Sequence, residues 1–408
     1  MALTRRQFLS LTGGAGALMA TGAWAGLLGE QVADGSGSAT TTPPPRPPRT
    51  LVVVQLGGGN DGLNTVVPED GRYRDARPSL GIPEAELLRP AGLTGASLHP
   101  ALAPLVAPWT AGSLAIVQSL GYAHAGRSHF ECSQHWWDGA HPGQPTTTGW
   151  IGRWLDSTAP AEGSHPLRAV ALGAGSPALR AERTVATVVL DPRAFAIRAP
   201  RGVDAKALAD AFVATAAPLS PDALLAASQR SVASAMAAVD TLKTPLAEVG
   251  AGDGKLTGLL GLAADLVTRR LGIEVITLGA SGFDTHSAQA DEHAELLADL
   301  AGGLARFSEK VAAAGMADQT LVMTTSEFGR RVAQNGSLGT DHGLGGCQLL
   351  LGPAVRGGLV GTLDLSRLHD GDLAATIDPR SLFAAGLDWL GGPTTDVLHD
   401  HEDLGLLR

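Results

Sequence analysis

The chain has 408 residues, and its hydrophobic content of 44% supplies enough apolar material for a large core in one or two domains. Its formal net charge of −10 argues against a nucleic-acid-binding protein, which would present a basic face. Small anionic ligands remain compatible with this charge, because a bound metal ion can reverse the local potential. The two cysteines, Cys132 and Cys347, are too few for a disulfide scaffold and leave open one pair or two free buried thiols.

The N-terminus has the features of an export signal. Residues 4–9 (TRRQFL) resemble a twin-arginine motif, an apolar Gly/Ala-rich stretch follows, and Ala23-Trp24-Ala25 matches a small-x-small cleavage site. We predict a twin-arginine signal peptide over residues 1–25, recognised by the twin-arginine translocase, and a periplasmic or secreted mature protein without a stable transmembrane segment. The alternative, an uncleaved anchor helix, is disfavoured because the apolar run is short and broken by glycines.

The rest of the chain is predicted to form one domain. Residues 26–49 are rich in Pro, Gly and Ser and are typical of a linker, so the folded domain is expected to cover residues 50–408. Within it, residues 204–270 are rich in Ala and Leu with regularly spaced charges, which predicts a helical insertion or a covering layer over a sheet.

The first predicted strand ends in an unusual polar corner. The run Val52-Val53-Val54 is typical of a strand buried on both faces, and it is followed by Gly57-Gly58-Gly59 and then by Asn60 and Asp61. In open α/β sheets ligands bind at the carboxyl ends of strands, so this corner is a candidate metal or anion site. The glycine spacing also permits a dinucleotide-binding interpretation, but Pro68 leaves no room for the long helix that it requires.

A second predicted strand, residues 113–120, leads to a serine at the start of a helix. Ser128 precedes the predicted helix 129–138, which Gly139 closes. Serine at this position is an ordinary N-cap, and the alternative is a nucleophile held where the helix dipole favours anions. The surrounding histidines fit no standard zinc spacing and are interpreted as mostly surface or supporting groups; they are His124, His129, His135 and His141.

A predicted strand–helix–strand unit brings further polar residues to the same edge. The strands cover residues 272–278 and 319–325, with an amphipathic helix over 288–314 between them, so the two strands are expected to be parallel. Asp284 and His286 follow the first strand, and Glu327 and Arg330 follow the second. A later glycine-rich loop carries Asp341 and His342 just before a strand at 348–351.

These carboxylates and imidazoles form one predicted constellation at the carboxyl edge of the sheet. Mixed oxygen and nitrogen ligands suit a divalent metal, with zinc or manganese favoured and one or two ions accommodated. The predicted metal ligands are Asp61, Asp284, His286, Glu327, Asp341 and His342. Such a site would act on phosphoryl or sulfuryl groups, with Ser128 or a metal-bound hydroxide as nucleophile and Arg127 or Arg330 steadying the substrate oxygens.

At these residues the chain resembles domain-of-unknown-function family 1501. The matching segments are GGGNDGLNTVVP, GRSHFECSQHWWDG, GFDTHSAQADEH, SEFGRRVAQNG and GTDHG. That family is similar to the alkaline phosphatase and sulfatase superfamily, which implies a three-layer α/β/α sandwich with a mostly parallel central sheet. The resemblance matches Asp61, Ser128, Asp284 and His342 to the superfamily's early Asp, nucleophile, middle Asp and late His.

The sequence also departs from that superfamily pattern. His286 follows Asp284 by two residues instead of four, and Glu327-Phe328 stands where the superfamily has Asp-His.

In function, the resemblance implies an exported metal-dependent hydrolase of small anionic phosphate or sulfate esters. The alternatives are a non-catalytic exported protein that keeps the fold and binds a ligand or partner, and a flavin or nicotinamide oxidoreductase, which Pro68 opposes.

Overall fold

The computed structural model describes the chain from residue 48 onward, with short gaps. The gaps are residues 124–125, 142, 145, 161–164, 166, 192–194, 196–198, 217–219 and 248–254. The predicted signal peptide and residues 26–47 of the predicted linker lie outside the described residues, as does His124.

An eight-stranded sheet forms the centre of the fold. Its strands are β1 (Thr50–Gly57), β4 (Leu114–Leu120), β5 (Ala169–Leu172), β6 (Thr187–Val189), β7 (Val275–Ser281), β8 (Thr320–Thr325), β9 (Gly346–Leu351) and β10 (Gly358–Val360). Their order across the sheet is β10-β4-β9-β8-β1-β7-β5-β6. Two small antiparallel pairs join β2 (Val66–Pro68) to β3 (Ala96–Leu98), and β11 (Leu368–His369) to β12 (Asp372–Leu373). Strand β9 is antiparallel to β8 and β4, whereas the other neighbouring strands of the large sheet are parallel.

Helices cover both faces of the sheet. They are α1 (Gly62–Thr65), α2 (Gly71–Ala76), α3 (Val106–Thr110), α4 (His129–Asp138), α5 (Trp150–Ser157), α6 (Ala205–Thr215), α7 (Ala223–Ala247), α8 (Lys255–Thr268), α9 (Gln289–Ala313), α10 (Pro379–Leu390) and α11 (Thr394–Val397). Short 3₁₀ helices cover Pro100–Leu105, Pro177–Leu179 and Ala317–Gln319. Within the part of the chain that the structure describes, no helix has the length and apolar character needed to cross a bilayer.

The alternation of side chains along β1 builds the two core layers. Val52, Val54 and Leu56 pack with α8 and α9 on one face, while Leu51 and Val53 pack with α5 and α10 on the other. The predicted three-layer α/β/α sandwich with a mostly parallel sheet is thereby confirmed. Helices α6, α7 and α8 lie within residues 204–270, and α8 covers one face of the sheet, where Leu256, Leu260 and Leu266 are fully buried, each at 0% exposure.

The strand–helix–strand unit has the expected connection, with one addition. Helix α9 connects β7 to β8, and β1 lies between these two strands and is parallel to both. Three carboxyl ends therefore meet at one edge of the sheet. Helix α1 ends at Thr65 and is followed at once by β2, so no long helix is present for dinucleotide binding.

Both cysteines are free, buried thiols. Burial raises the pKa of Cys132 and of Cys347 to about 12 in each case. Of the two alternatives left open by the sequence, the structure therefore supports two unpaired thiols, which are protonated at neutral pH and unreactive as nucleophiles.

Candidate metal centre

Three of the predicted residues meet at the carboxyl edge beside β1. The Oδ1 atom of Asp284 lies 3.0 Å from Nε2 of His286 and 3.2 Å from Nε2 of His342. The two Nε2 atoms are themselves 2.9 Å apart. The loops after β7 and before β9 thus bring a carboxylate and two imidazoles into direct contact, as the strand ends predicted.

The group formed by Asp284, His286 and His342 has a fourth member, His129, which was not predicted as a ligand. It is the first residue of α4, and its Nε2 lies 3.3 Å from Oδ2 of Asp284. Its ring centroid is 4.4 Å from that of His342. His129, Asp284 and His342 offer ligand atoms that lie within 4.8 Å of one another. The sequence signal that could have identified His129 is its place directly after Ser128, at the same helix N-terminus.

Each histidine of the group is oriented by a fixed acceptor on its Nδ1 side. His342 Nδ1 lies 2.8 Å from the carbonyl oxygen of Arg127. His286 Nδ1 lies 3.1 Å from Oδ1 of Asp341, and His129 Nδ1 lies 3.1 Å from Oε1 of Glu327. Ionised carboxylates and carbonyls accept but cannot donate, so these partners assign a hydrogen to each Nδ1.

It follows that the Nε2 lone pairs of His129, His286 and His342 all face the carboxylate of Asp284. Burial raises the pKa of Asp284, but the hydrogen bond and charge of Arg330 outweigh this effect and hold the pKa below the usual 3.8. The Asp284 carboxylate is therefore ionised. Four acceptors in contact repel one another unless a cation lies between them. The observed separations of 2.9 to 3.3 Å are close to the roughly 3.3 Å between ligands of a tetrahedral zinc ion. The donor set therefore fits a divalent metal.

Glu327 and Asp341 were predicted as ligands, but the structure places their oxygens on the Nδ1 side of His129 and His286, where they accept hydrogen bonds from the imidazoles. Oε1 of Glu327 accepts from the backbone N–H of Gly58 at 2.7 Å as well as from His129. Its Oε2 is buried and has no hydrogen-bond partner among the described residues. Such carboxylate–histidine pairs orient a metal ligand and raise its basicity.

Phe328, which stands where the superfamily pattern has a histidine, forms the apolar wall of the group. It is 4% exposed, and its ring centroid lies 4.9 Å from that of His129 and 4.5 Å from that of His342. The backbone of Gly59 passes directly beneath it, because a Cβ there would lie 2.2 Å from Cε2 of Phe328. Phe328 thereby limits the movement of two imidazoles without contributing a ligand.

Asp61 does not join the group, contrary to its predicted role as a ligand. Its carboxylate is fully buried, accepts from the N–H groups of Leu63 and Asn64 as the N-cap of α1, and pairs with Arg77 at 2.7 Å. Gln289 donates to its second oxygen at 2.5 Å. Burial raises the pKa of Asp61, but Arg77 outweighs this and keeps it below 3.8. Asp61 instead stabilises the turn that follows β1, at residues 57–61.

Arg330 is also a supporting residue, because its guanidinium is wholly buried. It donates to the carbonyl oxygens of Gly58, Gly59, Phe283 and Thr340 and to Oδ1 of Asp284. These contacts hold Asp284 and the Gly58–Gly59 backbone in place, and they leave the buried guanidinium inaccessible to a substrate. The prediction that Arg330 steadies substrate oxygens is therefore corrected.

Ser128 and Arg127 lie beside the group. Ser128 occupies the N-cap position of α4, but its exposed side chain makes no capping hydrogen bond. Its neighbour Arg127 contacts the group through the backbone carbonyl, and its neighbour His129 is a member of the group. The guanidinium of Arg127 pairs with Asp372 of β12.

The buried network around Asp61 contains a histidine whose protonation opposes folding. His293 is 1% exposed, and its Nε2 lies 2.9 Å from Oδ1 of Asn60. Burial lowers its pKa from 6.5 to about 4, against the attraction of Asp61. Between these pH values the unfolded chain binds a proton that the folded chain does not, so the free energy of unfolding falls as the pH is lowered.

We expect the His293→Gln variant to lose this pH dependence, since an amide can still donate to Asn60 but does not titrate. Urea unfolding at about pH 7 and about pH 4.5 should show wild-type protein losing about 2 kcal/mol more than the variant. His369→Gln, at a side chain with 65% exposure, is the control for losing an imidazole. Equal losses in wild type and His293→Gln would contradict the account.

The fold and the site together define an α/β/α protein with a candidate metal centre at the carboxyl edge of its sheet. The family described as a protein of unknown function, DUF1501, has a model that matches residues 48–405. The chain belongs to this family, which confirms the resemblance seen in its motifs. None of the curated proteins matches the chain.

Several solved structures are similar to this chain at low sequence identity. The zinc complex of the C-terminal periplasmic domain of EcEptC from Escherichia coli is 10% identical, with 85% of this chain and 83% of that chain covered and a TM-score of 0.42. A protein in the alkaline phosphatase superfamily from Vibrio parahaemolyticus is 9% identical, with 88% and 69% covered and a TM-score of 0.39. The lipoteichoic acid synthase LtaP from Listeria monocytogenes is 9% identical, with 87% and 75% covered and a TM-score of 0.38.

Proposed function

We propose that the chain is an exported, metal-dependent hydrolase of phosphate or sulfate esters. The observation that supports this most strongly is the convergence of three Nε2 lone pairs on Asp284, each set by an acceptor on the opposite ring nitrogen. His129, Asp284 and His342 would hold the first ion, and His286 completes that site or begins a second one. Zinc or manganese suits these ligands.

A bound metal would supply Lewis acidity, polarising the ester oxygens and lowering the pKa of an attacking hydroxyl. The chain's own residues do the rest. Arg330 keeps Asp284 ionised and in place, and Glu327, Asp341 and the Arg127 carbonyl keep the three imidazoles in one tautomer. Phe328 closes the inner side against water.

Ser128 is the proposed nucleophile, because its side chain is exposed, makes no capping hydrogen bond, and lies between Arg127, which contacts the group, and His129, which belongs to it. Its Oγ would form a bond to phosphorus or sulfur while the bond to the alcohol oxygen breaks, and water would then release the inorganic anion from serine. Direct attack by water is the alternative. The proposed location, periplasmic or secreted, rests on the twin-arginine motif at residues 4–9.

Hydrolysis of aryl ester substrates tests this function. Protein loaded with zinc or manganese should release p-nitrophenol from at least one of p-nitrophenyl phosphate, its diester and its sulfate, and should stop after chelation. We expect Ser128→Ala to lower kcat roughly 100-fold or more. Ser133→Ala, on the same helix and outside the group, is the control.

The outcomes separate the mechanisms. An unchanged rate in Ser128→Ala would identify water as the nucleophile and leave the hydrolase standing. Metal-loaded, folded protein that hydrolyses none of these esters would contradict the hydrolase and favour an exported binding protein that keeps the fold.

A further inference from the structure

Two arginines converge on one buried carboxylate beside the candidate metal centre. Nε of Arg127 donates to Oδ2 of Asp372 at 2.9 Å, and Nε of Arg331 lies 3.4 Å from Oδ1 of the same residue. The Asp372 side chain is 0% exposed, whereas those of Arg127 and Arg331 are 36% and 33% exposed. The carboxylate is thus the inner side of this trio, and the guanidinium groups form its outer side.

The trio is attached to the metal centre through the backbone. The carbonyl of Arg127 accepts from His342 Nδ1 at 2.8 Å, and the N–H of Arg331 donates to the carbonyl of Asp341 at 2.9 Å. Both arginines therefore lie next to the segment that carries His342. The trio is therefore joined through the backbone to the two residues, Asp341 and His342, that also contact His286.

The charges of the trio do not balance. Two guanidinium groups share one carboxylate, which leaves one positive charge in excess at a partly buried position. Apart from the Asp372 contacts, Arg331 donates from Nη1 to the backbone oxygen of Asp370 at 2.5 Å, a neutral acceptor. In a chain with a formal charge of −10 this is a local cationic feature, and guanidinium groups bind carboxylates and phosphates through paired hydrogen bonds.

The backbone explains why Arg331, and not its neighbour, is available. Arg330 forms an antiparallel bridge with His342, so consecutive side chains in this segment point in opposite directions. Arg330 turns inward and is fully buried, and Arg331 turns outward towards Asp372.

We propose that Arg127 and Arg331, held by Asp372, form a subsite for a second anionic group on the substrate, separate from the ester group at the metal centre. The proposal rests on the proposed function, since it takes the metal centre as the place of the first anionic group. The substrate class is then an ester whose alcohol part carries a carboxylate or a further phosphate. Arg127 and Arg331 are specificity-determining residues, and Asp372 is a positioning residue.

Binding of matched probes to the metal-loaded protein tests the subsite. Phosphonopropionate and phosphonobutyrate carry a carboxylate at the end of the carbon chain opposite the phosphonate. Propylphosphonate and butylphosphonate have the same chain lengths but only the phosphonate as an anionic group. By calorimetry, we expect wild-type protein to bind at least one carboxylate probe roughly 10-fold or more tightly than its alkyl equivalent. Arg331→Gln should remove this difference and change binding of the alkyl probes by less than about threefold.

The controls separate charge, folding and metal effects. Arg72→Gln removes the same charge from an exposed pair with Asp70 and should behave as wild type. Arg331→Lys keeps the positive charge but lacks the planar guanidinium, so it should show an intermediate preference for the carboxylate probes. This variant replaces Arg331→Gln in the test if Arg331→Gln does not fold. Metal content measured before and after each titration shows whether a probe has removed the ion.

Propylene diphosphonate distinguishes the two sources of the second anion. Tighter binding than phosphonobutyrate assigns a phosphate, and weaker binding assigns a carboxylate. Wild-type protein that binds metal and the alkyl probes but has no preference for a second anion would overturn the subsite while leaving the hydrolase intact. The subsite is also overturned if Arg331→Gln retains the preference. Wild-type protein without metal would overturn the metal centre and the subsite with it.

Discussion

Replacing Asp284 with Asn is expected to weaken metal binding more than about 100-fold while leaving the protein folded. Asp284 is in contact with His129, His286 and His342, so the substitution removes the negative charge on which their lone pairs converge. Arg330 loses a charged partner but keeps its backbone carbonyl acceptors. Competition with a chelating dye measures the affinity, and circular dichroism measures the fold.

Asp341→Ala is the matched control for the Asp284 result. Asp341 is half exposed and contacts the group only through Nδ1 of His286 among the described histidines. Removing such a supporting carboxylate is expected to weaken metal binding by roughly 10- to 100-fold, less than Asp284→Asn. Equal affinities in wild type and Asp284→Asn would show that the carboxylate is not a ligand.

Replacing Asp61 with Ala is expected to lower the free energy of unfolding by about 3–5 kcal/mol. The substitution leaves the Arg77 guanidinium, whose side chain is 0% exposed, without its charged partner and removes the N-cap of α1. Urea denaturation at neutral pH measures the loss. Under conditions where the variant stays folded, it should still bind metal, because Asp61 does not contact the group.

Asp70→Ala provides the control for the Asp61 substitution, since Asp70 makes the same kinds of contact at the surface. It caps α2 by accepting from the backbone N–H of Arg72, and it also pairs with the guanidinium of Arg72 at 2.8 Å. Its loss is expected to cost about 1 kcal/mol, because exposed pairs contribute little beyond the cap. An Asp61→Ala protein with native stability and no metal would restore Asp61 as a ligand.

The sequence predicted the parts of the site that follow from strand topology. A buried apolar run followed by polar residues is a local pattern, and parallel strands must present their carboxyl ends at one edge. That reasoning brought Asp284, His286 and His342 together in advance. The same kind of pattern located α9 closely, because a long amphipathic helix carries strong periodicity.

The residues that were assigned differently depend on contacts between distant segments. Asp61 was predicted as a ligand, but Arg77, 16 residues later, and Gln289, 228 residues later, occupy its carboxylate. His129 was treated as a surface or supporting group, because no spacing rule connects it to Asp284 across the sheet. Arg330 and Arg331 are adjacent in sequence, and the direction of each side chain is set by the bridge to His342.

The most direct test of the metal centre is elemental analysis of the mature protein, purified without chelators, beside its His129→Ala variant. The account predicts about one or two divalent ions per chain in wild type, with zinc or manganese prominent, and a marked loss in the variant. His129 is the informative position, because the geometry places its Nε2 beside Asp284 and no spacing rule does. Folded wild-type protein that contains no metal, and takes up none when zinc or manganese is added, would contradict the account.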